Sequence, residues 1–219
     1  MKLLFQAPFL STLLIALASC ASVGTDQASS TVSDLKKLQK GLAEGRQAIT
    51  AAVTTLNQLA ADDVDMVAEY KAFAQAVDRL KSKSKSVSST NERLVSRREA
   101  FVASWAKGLA GIQNASMKER ATKRHNAMVE KFDYLNSISE KSRSDYNQWF
   151  NDIVDVRKYL EFDLNPGGIA SVKTYIKSVD KGAGKINQDL DEISSELGQL
   201  ITNLEATKPP AETGTAAGK

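Results

Sequence analysis

The sequence predicts an all-α fold, an elongated antiparallel bundle of about four long, coiled-coil-like helices. Three observations carry that expectation. Past residue 31 only Pro166, Pro209 and Pro210 interrupt the 219-residue chain. Apolar residues recur at alternating spacings of three and four, the helical period, and not at the spacing of two that marks a strand. Turn and cap residues punctuate this run at only a few places, so the elements between them are long.

Leu35, Leu38, Leu42, Ile49, Ala52, Leu56 and Leu59 form the first ladder and predict a helix over about 31–60. Gly41 and Gly45 weaken it. Each interior glycine costs about 1 kcal/mol relative to alanine, so this helix depends on its neighbours for order. The joint at Ala61-Asp62-Asp63 lacks glycine and proline but is read as a break. A second ladder of Tyr70, Phe73, Val77, Leu80, Ser84, Val87, Asn91, Leu94, Arg98, Phe101, Trp105 and Ile112 predicts a helix over 63–112. Three of its rungs are polar. Ser84, Asn91 and Arg98 either set register, as buried polar residues do in coiled coils, or line a groove for a partner.

The third ladder holds larger side chains: Ala121, His125, Met128, Phe132, Leu135, Ser139, Ser142, Tyr146, Trp149, Ile153, Val156 and Leu160. It predicts a helix over 116–163. Ser116-Met117-Lys118-Glu119 has the spacing of a capping box, and residues 111–115 precede it as a turn. Asn165-Pro166 offers a cap followed by proline at the first helical position, where the missing N–H is harmless. The fourth helix, over 166–206, carries the most regular ladder: Ile169, Val172, Ile176, Val179, Ala183, Ile186, Leu190, Ile193, Leu197, Leu200 and Leu204. Helices this long are unstable alone, so the stripes must bury one another. At about 1.5 Å per residue the middle pair would each approach 75 Å, which makes a rod.

The two ends read differently from this 31–206 bundle. Residues 20–30 are small and polar, a tether by composition, and residues 207–219 are a disordered tail of proline, glycine and alanine without a core-forming stripe. Residues 1–20 run from one charge, Lys2, through Phe9, Leu10, Leu13, Leu14, Ile15 and Leu17 to small residues, the layout of a secretory signal. A spanning helix needs about 20 apolar residues, and Pro8, Ser11 and Thr12 dilute this stretch.

Leu17-Ala18-Ser19-Cys20 resembles the lipobox of bacterial lipoproteins. The resemblance implies that the Cys20 sulfur accepts a diacylglyceryl group, that residues 1–19 are removed as a signal peptide, and that Cys20 becomes the mature N-terminus. The membrane is then a partner through lipid on Cys20. By the sorting habit of enteric bacteria, Ala21 and Ser22 in place of an aspartate after the cysteine imply an outer-membrane anchor facing the periplasm, in a cell with two membranes. The segment Asp155 to Val172, with Trp105 and the Asn114-Ala115-Ser116-Met117 turn, resembles an uncharacterised bacterial helical family of unknown function over roughly residues 64–205. That likeness implies a helical fold and no catalytic residue.

Composition limits the function classes. Without residues 1–19 the chain keeps 28 basic and 26 acidic side chains, close to balance. This argues against nucleic acid, which favours a strongly basic face. Cys20 is the only cysteine, so its lipidation leaves neither a disulfide nor a thiolate metal site. His125 is the only histidine and falls on the apolar ladder without ligand partners at a known spacing, so it reads as a core or rim residue. Asp62, Asp63 and Asp65 lack the glycine and terminal glutamate of a calcium loop and suit a helix start.

No catalytic residue, cofactor or metal is therefore expected, and the leading expectation is a non-enzymatic envelope scaffold or adaptor that meets an envelope protein or a second copy of itself. The alternative is a module for an anionic envelope lipid or cell-wall polymer, gripped by Lys81, Lys83, Lys85, Arg93, Arg97 and Arg98 on the second helix, with Lys118, Arg120, Lys123 and Arg124 early in the third. Gly182-Ala183-Gly184 reads as a packing notch for Trp149 or Trp105. Lys219 ends the tail as a lysine ends the lipoprotein joined covalently to peptidoglycan, a resemblance resting on one residue.

Overall fold

A computed structural model describes residues 20–206 of the chain. The signal at 1–19, the tail at 207–219 and Lys219 lie outside the described residues. Four helices account for nearly everything else: α1 (Cys20–Leu59), α2 (Met66–Ala110), α3 (Ala115–Phe162) and α4 (Pro166–Glu205). With 40 to 48 residues each, they run about 60–72 Å. Each helix packs on its chain neighbours and α4 returns to α1, while the diagonal pairs do not meet, which is the ring of an antiparallel four-helix bundle.

Local chemistry sets the three turns. The break after α1 is real: Asp63 adopts a left-handed φ of 56°, a conformation aspartate tolerates better than most residues. Asp65 then caps α2, its side chain accepting from the backbone N–H of Val67 and Ala68 at 3.1 Å, so the acidic cluster serves the helix start. Asn165 caps α4 by accepting from Gly168 N at 3.0 Å, with Pro166 at the first helical position. Gly168 is obligatory there, since a Cβ would stand 1.9 Å from the Asp163 carbonyl oxygen.

Two expectations about helix starts are corrected. The cap of α3 is Asn114, which accepts from Met117 N at 3.0 Å, and Glu119 pairs with Lys123 at 2.9 Å instead of closing a box with Ser116. Asparagine caps as well as serine, so the earlier residue takes the position. Residues 20–30, which read as a tether, are the first turns of α1. The stripe continues past Ser30, because Thr31 is buried and Ala28 and Val32 pack on the core that holds Leu35.

The core is two clusters along one axis. One surrounds Leu56, Phe73, Trp149, Ile153, Val179 and Ile186, toward the end bearing the α1–α2 and α3–α4 turns. The other surrounds Leu35, Leu94, Phe101, Phe132, Leu197 and Leu200, toward the α2–α3 turn. Among adjacent helices α1 and α2 make the most extensive contact and α2 and α3 the least. Small Gly41, whose absent Cβ would lie 3.4 Å from Val87, favours the first. Large rings on the α2–α3 seam limit the second: Phe101 and Trp105 meet edge to face at 5.6 Å, and Trp105 meets His125 in the same way.

Trp149 occupies the notch expected on α4. Its indole N–H donates to the Val179 carbonyl at 2.8 Å, and a Cβ at Gly182 would come within 2.6 Å of its ring. Gly182→Ala is therefore expected to destabilise the bundle by about 1–3 kcal/mol through overpacking. Urea denaturation measures the loss. A shift of Trp149 fluorescence, read in a Trp105→Phe background, shows that the indole has moved.

Candidate functional site

Cross-helix pairs define the antiparallel register of α2 on α3. Arg98 binds Asp133 while its guanidinium lies 5.8 Å from the centre of the Phe132 ring. Arg157 binds Asp78 at 2.6 Å, and the Tyr70 hydroxyl donates to the Arg157 carbonyl at 3.3 Å. Between these clamps Ser84 stands level with Tyr146, Ser88 with Ser142, and Asn91 with Ser139. The polar rungs that stand out in the second and third ladders thus face one another across one seam, at the waist between the two apolar clusters.

A cavity of about 350 Å3 opens there. Its seam wall carries the hydroxyls and amides of Ser84, Ser88, Asn91, Ser139, Ser142, Tyr146 and Asn147 beside apolar Leu80 and Val87. Its opposite wall is apolar, from Leu38, Leu42 and Ile49 of α1 and Leu190 and Ile193 of α4. Gly45 adds room, for a Cβ at that position would touch nothing within 4 Å. Glu92 and Arg143 stand on the exposed side of the lining, one of each sign, and neither forms an ion pair among the described residues.

The waist holds unsatisfied polar groups. Tyr146 Oη is buried without a hydrogen bond, as are Asn187 Oδ1 and Asp189 Oδ2 on nearby turns of α4. Burial raises the Tyr146 pKa, and the neighbouring Ser84 hydroxyl opposes that shift without reaching the geometry of a hydrogen bond. Ser142 is only 5% exposed. Native interiors leave few such groups unmatched, which makes this stretch unlike the rest of the core. The cavity's functional groups are neutral hydrogen-bond formers, suited to holding a ligand.

His125 lies elsewhere, on the rim. Its Nε2 faces the Val102 carbonyl at 3.3 Å and its Nδ1 faces Asn126 at 3.2 Å. Among the described residues no group of three histidine, cysteine, aspartate or glutamate side chains is placed to hold a metal ion.

The six candidate cations of α2 do not converge. Lys83 binds Glu44 of α1 at 2.6 Å and lowers its pKa through that hydrogen bond. Arg97 binds Asp34 at 2.8 Å, an ion pair more than an aligned hydrogen bond, and Arg98 binds Asp133. Arg93 donates to Thr90 at 3.1 Å. Lys81 and Lys85 are exposed and, like Arg93, have no carboxylate partner among the described residues. Of the basic residues early in α3, Lys123 is matched by Glu119. Pairing of this kind depends on which carboxylates neighbouring helices present, and one helix's sequence does not reveal it.

Comparison with known proteins adds one result. Residues 17–208 match the family described as Protein of unknown function (DUF2959). The chain belongs to that family. The DUF2959 match begins before α1 and runs past the end of α4, so it is wider than the 64–205 span of the likeness seen in the sequence. No curated protein and no solved structure matches this DUF2959 chain.

Two outcomes test the electrostatics. Arg97→Ala leaves Asp34, 3% exposed, with only Lys37 at 3.4 Å. It should cost about 1–3 kcal/mol, and adding Asp34→Asn should recover much of the loss in chemical denaturation. Glu44 and Asp145 both have lowered pKa values, through hydrogen bonds from Lys83 and Lys185. Their contribution is present above the ordinary carboxylate range and is lost as pH falls through the folded values. Thermal melts should therefore decline below about pH 4, and less steeply in a Lys83→Met, Lys185→Met variant.

Proposed function

We propose that the chain is a lipid-anchored protein of the bacterial envelope whose four-helix rod acts as a non-enzymatic scaffold or adaptor. The observation that supports this most is the position of Cys20. It is the only cysteine in the chain and ends the tetrapeptide, and the helical rod follows it in sequence. The DUF2959 match also begins at Leu17, inside that tetrapeptide. Acyl chains on the Cys20 sulfur would hold the near end of the rod at a bilayer, two chains far more firmly than one. Among the described residues no helix is long and apolar enough to cross a membrane.

The rod then projects its other end about 60 Å from the anchor. That end bears Phe162, 89% exposed, with Tyr159 and Val67 near it and Tyr175 further along α4. Clustered exposed apolar side chains are a common mark of protein contact. The expected partner is an envelope protein or a second copy of the chain, not nucleic acid. In a cell with two membranes, Ala21 and Ser22 after the cysteine favour the outer membrane, with the rod in the periplasm.

Metabolic labelling with an alkyne fatty acid tests the anchor. The native chain should carry label and sediment with membranes, and Cys20→Ala should lose both; label that persists in Cys20→Ala would refute the assignment. Photo-crosslinking residues placed at positions 162 and 175 test the adaptor role in intact cells. Discrete adducts at the far end, with few at the exposed mid-rod position 89, are the expected result. Uniform or absent adducts at both sites would remove its support.

A further inference from the structure

The waist cavity has a directional chemistry that a simple packing fault lacks. Its apolar lining comes from α1 and α4 with Leu80 and Val87 of α2, its hydrogen-bonding side chains come only from α2 and α3, and its charges stand only on the exposed side. Leu38 to Ile49 on α1 and Leu80 to Glu92 on α2 give it a length of about 16–18 Å along the bundle axis. At about 350 Å3 it falls within the range of small-molecule sites. The seam that bounds it has the least extensive contact of the four, and so is the easiest to part.

We propose that this cavity binds a single-chain, uncharged amphiphile with a hydroxylated head. The chain lies lengthwise on Leu38, Leu42, Ile49, Leu190 and Ile193, and the head hydrogen-bonds to the seam. Three features define that chemistry. A buried charged head would need an opposite charge within the cavity, and the only polar groups of the inner lining are hydroxyls and amides. Glu92 and Arg143 at the exposed side give no net preference for an anion or a cation. Tyr146 Oη, buried and unpartnered, and the hydroxyl of Ser142 await a ligand that both donates and accepts, as a hydroxyl does. The length and narrowness suit an extended chain better than a fused-ring skeleton.

Gly45 supplies the decisive variant. Gly45→Leu projects a side chain into the open space beside a position whose Cβ touches nothing, and it replaces an interior helical glycine by a strong helix former. The bundle should therefore remain folded while the cavity is filled. The experiment is calorimetric titration of the chain from position 20 onward, which holds all four helices and carries Cys20→Ser, with 1-decanoylglycerol below its micellar concentration. Decanoate and glycerol are the controls for a charged head and for the head alone.

The expected result is saturable one-to-one binding of decanoylglycerol, with decanoate at least tenfold weaker and no binding of glycerol. Gly45→Leu should lose binding at least tenfold with an unchanged or higher melting temperature. Tyr146→Phe and Ser142→Val should each weaken it about two- to tenfold, the effect of one hydrogen bond. Absence of saturable binding, or undiminished binding in Gly45→Leu, overturns the site. Decanoate binding as tightly as decanoylglycerol overturns the uncharged head.

Discussion

The register of α2 against α3 is the constraint on which the rest of this bundle depends. A ladder with a seven-residue apolar repeat is nearly indifferent to a slip of one repeat, because leucine again meets leucine. What breaks that degeneracy is the placement of unlike rungs. Such a slip would set Ser84 or Asn91 against an apolar residue and strand its polar group, at about 1–3 kcal/mol for each buried group left unmatched. It would also part Arg157 from Asp78 and Arg98 from Asp133 and Phe132. Exposed ion pairs contribute little singly, but several that agree on one alignment discriminate against the others.

That register has a structural consequence. By aligning polar rungs with polar rungs, the seam avoids burying them against hydrocarbon, yet it concentrates them at one height and divides the core in two. Short serines facing each other leave space that leucines would fill, and Gly45 on α1 leaves more. The cavity follows from the way the helices are aligned. Trp149 against Gly182 then closes the core beside the waist, where a large ring and an absent side chain fit one another.

The ends of the rod differ as well. The N-terminal part of α1 lies toward the α2–α3 turn, where Met117 is exposed, and Phe162, Tyr159 and Val67 are exposed at the opposite turns, with Tyr134 and Tyr175 exposed along the shaft. A helix packed on the core from Ala28, eight residues after the proposed point of lipidation, transmits position and direction where a loose linker would transmit only proximity. The charges of α2 support a structural role, since Lys83, Arg97 and Arg98 are bound to carboxylates on α1 and α3. DUF2959 membership places the fold in a family of unknown function, so the cavity and the exposed end are where its chemistry can be sought.

The sequence by itself determined the all-α class, the four ladders, the three breaks and the polar rungs, because periodicity, capping and proline chemistry act over a few residues. It offered Trp149 and Trp105 as occupants of the 182–184 notch, and the structure placed Trp149 there. Only the tertiary structure decided that Ala28 and Val32 already pack on the core as part of α1 and that Asn114 caps α3. Only it decided that Ser84, Asn91, Ser139, Ser142 and Tyr146 share one cavity, and that Lys83, Arg97 and Arg98 among the six candidate cations of α2 are neutralised. Small residues near 20–30 read as a linker until Ala28 and Val32 are seen against the core. Each of those outcomes depends on which helix stands opposite and at what height, a long-range choice made by the whole ring of helices together.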